Sequence, residues 1–136
     1  MTPAERLSGR TASAAEIDAI ARRTLERLPA PFAESLRDIV LAVEEVADRE
    51  TALRLGLRHP LDLSGLYEGI PLNHRSVSES GTGPERVTLY REPILAEWRA
   101  TQFSLEQIVW HIVIHEIGHH FGFSDEDMHA LESQAE

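Results

Sequence analysis

The chain has 136 residues and a formal charge of −10, from 23 acidic residues against 13 basic ones. That is enough chain for one domain with a single core, and a charge of that sign opposes both phosphate backbones and anionic membrane surfaces, so nucleic acid and membrane are not expected partners. There is no cysteine, which excludes disulfides and thiolate metal sites and leaves nitrogen and oxygen to hold any metal.

Residues 1–12 are polar and charged and do not read as a signal peptide; they are expected to be a flexible lead into a single domain over 13–136. Ser13 and Glu16 have the spacing of a capping box. They open an amphipathic helix with Ile17, Ile20, Ala21, Thr24, Leu25 and Leu28 on its buried face. Pro29 and Pro31 end it, and Pro31 suits the start of a short helix through about Arg37. Ile39 to Val43 is a short apolar run, read as a buried strand, with a helix segment as the alternative at this length. Arg49 to Leu57 reads as a short helix, and Leu63 to Ile70 as a second strand stopped by Pro71. Asn73 to Glu85 is rich in Asn, Ser, Gly and Pro and is expected to be a mobile loop, a candidate lid. Arg86 to Arg91 alternates Val87 and Leu89 with polar neighbours, the pattern of a third strand. Pro93 opens a short helix through Trp98. No stretch approaches the ~20 apolar residues that span a bilayer, and the expected location is cytoplasmic.

The last long helix carries the chemistry. Ser104 and Gln107 form another capping box. Leu105, Ile108, Val109, Trp110, Ile112, Val113, Ile114, Ile117 and Phe121 follow without a proline, so this helix is expected to be apolar almost all round and buried. Its final turns read His115-Glu116-Ile117-Gly118-His119, then Gly122 and Asp125, the pattern H-E-x-x-H-x-x-G-x-x-D. A helix turns about 100° per residue, so His119 lies about 40° around from His115 and about 6 Å along the axis. Two imidazoles so placed can reach one metal ion. Glu116 lies about 60° beyond His119, where its carboxylate can reach a metal-activated water without binding the metal. Gly122 can take the left-handed conformation that ends a helix. The chain can then turn back, so that Asp125 has two readings: third ligand, or an acid in the first turn of a last helix capped by Ser124. Asp127 and Glu126 are the fallback ligands.

Three segments are similar to the small bacterial zincin-like metallopeptidases: HEIGHHFGFSDEDM (His115 to Met128), LSGLYEGIPL (Leu63 to Leu72) and ERVTLYREPIL (Glu85 to Leu95). The resemblance covers roughly 13–131. It implies an α+β, zincin-like fold: a small three- or four-stranded sheet with a central buried H-E-x-x-H helix and flanking helices. It further implies Zn2+ on His115, His119 and Asp125, Glu116 as catalytic base, and a peptide or protein substrate. The chain departs from full-length metzincin peptidases in having Asp in place of a third His and no separate methionine turn. Met128 is read as a packing residue. Only eleven residues follow Asp125, which favours an alternative: a non-catalytic module that holds a metal structurally and acts by binding a partner. A metal-dependent ribonuclease with a histidine-rich helix would need a third histidine; Glu116 and the negative charge oppose that reading. His120 reads as a buried structural histidine, and His111 as surface packing. Tyr67 and Tyr90 are candidate hydroxyl donors to a developing oxyanion, with strand packing the commoner duty of such residues.

Overall fold

In the computed structural model, the described residues are 9–28, 38–69 and 85–122, with 124, 126, 127, 129, 130 and 133; of residues 119–121 only the backbone is described. Helix α1 (Ala14–Glu26) starts as its sequence dictates. The Ser13 hydroxyl accepts the Glu16 N–H at 3.1 Å, and the Glu16 carboxylate accepts the Ser13 N–H at 3.2 Å. Ile17, Ile20, Ala21 and Thr24 form its buried face. Thr24 tolerates burial because its hydroxyl donates to the Ile20 carbonyl at 3.0 Å. The expected helix from Pro31 to Arg37 lies outside the described residues.

Strand β1 (Val40–Glu44) is followed by helix α2 (Arg49–Arg54), whose first turn is capped by Asp48: its carboxylate accepts the Thr51 N–H at 2.7 Å. Gly56 ends this helix at φ +73°, and the Leu57 N–H reaches back to the Ala52 carbonyl at 2.9 Å. A 3-10 turn over Pro60–Asp62 was not among the elements expected from sequence. It forms because His59 Nδ1 accepts the Leu61 N–H at 3.0 Å, a capping duty usually given to Ser or Asp. Strands β2 (Gly65–Glu68) and β3 (Arg86–Tyr90) complete the sheet. Helix α3 (Arg91–Ala100) begins directly after β3, two residues before Pro93, which fits within the first turn.

Among the described residues the sheet has three strands, in the order β1-β3-β2. β1 runs parallel to β3, whereas β2 is antiparallel to it. Helix α4 (Leu105–Phe121) packs against β2 and β3 on one side and against α1 and α3 on others. Ile108, Val109, Val113, Ile114 and Ile117 bury themselves there with Ile17, Leu41, Val87, Leu89, Ile94 and Leu95. The architecture is α+β with helices flanking a small mixed sheet.

Most of α4 is buried as expected, but one side is not apolar: Glu106, Gln107, His111 and His115 are exposed. Gln107, His111 and His115 follow one another at intervals of four, so they form a single open stripe along the helix. The start of α4 is closed by two reciprocal bonds: the Gln107 N–H donates to the Ser104 hydroxyl at 3.0 Å and the Ser104 N–H to the Gln107 side-chain carbonyl at 2.9 Å. Ser104→Ala removes the first and is expected to lower unfolding stability by about 1 kcal/mol, read as a fall in the urea midpoint at unchanged slope.

Residues 10–12 are anchored by arginines. Arg10 donates to the Trp98 and Thr101 carbonyls at 2.7 and 3.2 Å, and Arg99 donates to the Arg10 carbonyl at 2.9 Å. Arg91 donates to the Ala12 carbonyl at 2.6 Å, and Ala12 is buried. No helix among the described residues is long and apolar enough to cross a membrane.

Candidate functional site

His115 and Glu116 are consecutive on α4 and therefore point about 100° apart around its axis. The structure separates them by environment as well. His115 stands in the exposed stripe, whereas Glu116 is only 7% exposed and belongs to the face that meets the sheet. A buried carboxylate needs a partner, and β2 provides one. The Tyr90 N–H donates to the Ser64 carbonyl at 3.0 Å. Backbone groups alternate in direction along an antiparallel strand, so those of Gly65 and Tyr67 turn to the outer edge of β2. There the Tyr67 N–H donates to the Glu116 carboxylate.

The approach of β2 to α4 depends on Gly65. A Cβ at that position would lie 2.6 Å from Ile112 Cγ2 and 3.3 Å from Glu116 Cγ. With hydrogen in place of a side chain, the strand backbone rests on the helix where Glu116 emerges. Gly65→Ala forces the two elements apart and is expected to cost about 1–3 kcal/mol of unfolding stability, measured by denaturant titration.

Burial is the main influence on Glu116 and pushes its carboxyl above the usual carboxylate range; the neighbouring His115 and the Tyr67 N–H pull it down without cancelling that rise. A carboxyl held this way takes up a proton more readily than an exposed one.

Gly122 adopts φ +72°, the left-handed conformation expected of a helix exit. Beyond it, the Asp127 N–H donates to the Ser124 hydroxyl at 3.2 Å and the Ser124 N–H to the Asp127 carboxylate at 3.4 Å. Ser124 therefore caps the helical residues that follow, and Asp127 is committed to that cap. The His119 backbone is helical, one turn after His115, while its side chain, like that of His120, lies outside the described residues, as do Asp125 and Met128. Among the described residues no three His, Asp or Glu side chains converge on a common point. Of the candidate loop 73–85, only Glu85 is described.

The two tyrosines lie on opposite faces of the sheet. Tyr67 acts on Glu116 through its backbone N–H. Its hydroxyl lies beside Gly69, 3.0 Å from where a Cβ would stand there. Leu89 faces Gly65, with its Cδ2 3.6 Å from that glycine's Cβ position. Tyr90, the next residue, is therefore on the opposite face of the sheet. It is buried, and burial raises its phenol pKa, with Glu44, Glu68 and Asp48 adding to the rise.

Residues 36–135, most of the chain, match the family model described as zincin-like metallopeptidase. The chain belongs to that family. No curated protein matches the sequence. The matched region holds the three described strands together with α2, α3 and α4. Helix α1 precedes the match yet inserts Ile17 and Ala21 fully into the common core. Sequence reasoning missed Gly65 as a site residue. The signal was present: a glycine inside an apolar strand marks a close backbone approach.

Proposed function

We propose that the protein is a zinc-dependent peptidase or amide hydrolase, in which His115, His119 and Asp125 hold the metal and Glu116 is the general base. The observation that carries this reading is Glu116 itself: a buried carboxylate anchored by the Tyr67 N–H, next in sequence to an imidazole open to solvent. The donor chemistry fits zinc, since nitrogen and carboxylate ligands suit it and no thiolate is available in this chain. Zinc, when bound, supplies a Lewis acid that polarises a substrate carbonyl and makes water nucleophilic near neutral pH. Glu116 then takes the water's proton with one carboxylate oxygen, while the Tyr67 N–H steadies the group. Water adds to the carbonyl carbon, the C–N bond breaks, and Glu116 passes the proton to the departing amine. Family membership supports a peptide or protein as substrate.

Protein purified without chelator is expected to carry about one zinc per chain, with a coordination position left for water. A chain that arrives metal-free and takes up no zinc at micromolar concentration removes the basis of this proposal. A proteome-derived peptide mixture, incubated with wild type and with Glu116→Gln, then identifies the bonds that are cleaved.

A further inference from the structure

The open stripe of α4 holds a second histidine pair, of which the proposed hydrolytic centre uses only His115. His111 lies one turn before His115, with ring centroids 6.3 Å apart and ring planes 23° from parallel. Both side chains are exposed. Their separation of four residues equals that of His115 and His119, the spacing at which a helix offers two imidazoles to one ion. Metal–nitrogen bonds are about 2.0–2.1 Å long. Neither ring has to be drawn out of a packed core, and water completes the coordination.

We propose that His111 and His115 form a second, weaker chelate for a late first-row divalent cation. Imidazole pairs suit copper, zinc and nickel, and affinity along that series peaks at Cu2+, so Cu2+ is the strongest occupant. The charge of −10 raises the local concentration of any cation. The sharing of His115 rests on the proposed zinc site, whereas the pair itself does not. One ring nitrogen binds one ion, so the two chelates compete for His115. A cation on His111 and His115 withdraws a ligand from the zinc centre. Glu116 follows His115 but points about 100° around the helix from it, into the buried face and away from the stripe. The upper pair is therefore an inhibitory site for excess transition metal.

The test uses metal-free full-length protein titrated with Cu2+ and, separately, with Zn2+ by calorimetry, in wild type, His111→Ala, His119→Ala and the double variant. His119→Ala is expected to retain one Cu2+ that the double variant binds at least about tenfold more weakly. Equal Cu2+ affinity in His119→Ala and the double variant overturns the proposal. A second measurement needs only the exposed position: in zinc-loaded protein, His111→Ala is expected to raise the Cu2+ concentration for half-release of zinc by about tenfold. No shift there also overturns it. Failure of the zinc reading looks different: wild type takes up no Zn2+, yet Cu2+ binding still depends on His111, and the chelate stands.

Discussion

Glu116→Gln is expected to lower the rate of peptide hydrolysis by about 10²–10⁴-fold while zinc content stays at the wild-type level. The amide keeps the shape of the side chain and can still accept the Tyr67 N–H, so the variant isolates proton transfer from architecture. It also carries a stability signature of opposite sign. Burial raises the Glu116 carboxyl above its ordinary range in the folded, metal-free protein. Over the interval between the ordinary pKa and the raised one, the folded state then binds more protons than the unfolded state. The corresponding stabilisation is fully present below the ordinary carboxylate pKa and is lost as pH rises through the raised value. Above the raised value the metal-free wild type holds a buried charge that glutamine lacks. Metal-free Glu116→Gln should match or exceed wild type in thermal midpoint at pH 7, with the gap closing toward pH 4. A variant that loses both activity and several degrees of midpoint, or one that cleaves peptides as fast as wild type, contradicts Glu116 as a base tuned by burial.

The second large effect comes from removing a metal ligand. Zinc that binds the folded chain alone stabilises it by mass action, by about 2.7 kcal/mol at a free concentration 100 times the dissociation constant. Thermal melts of wild type are accordingly expected to rise with added zinc and fall back with chelator. His115 is exposed, and alanine is the best helix former, so His115→Ala should leave the metal-free midpoint nearly unchanged. It should abolish the zinc-dependent rise and the hydrolysis together. A zinc-dependent rise that survives in His115→Ala would mean that the ion sits elsewhere. His111→Ala is the matched control, expected to keep the zinc-dependent rise.

The legible parts of this protein are those set within a few residues. Ser13 with Glu16 and Ser104 with Gln107 make the reciprocal caps their spacing announces. Gly122 takes the positive φ that ends α4. The runs around Leu41, Tyr67 and Leu89 are the three strands. His115 and Glu116 belong to one helix because 3.6 residues per turn is a local property of the backbone. Less legible was the 3-10 turn at Pro60–Asp62, since its cap is a histidine and not one of the usual short polar residues.

Contacts distant in sequence obey no such local rule. Gly65 signals a close approach, but nothing near it announces that Ile112 and Glu116 will be the neighbours, or that the Tyr67 amide will meet Glu116. The pairing of β1 with β3 in parallel, across the intervening β2, is likewise a choice among registers made by side-chain burial over the whole core. Period and composition of α4 suggested a buried helix, apolar almost all round, whereas packing left the Gln107–His111–His115 stripe open. Sequence could name the chemically able residues because helical spacing is local. Which of them is buried, which faces water, and which strand amide steadies the carboxylate were decided by tertiary packing, because each depends on elements brought together only when the core closes.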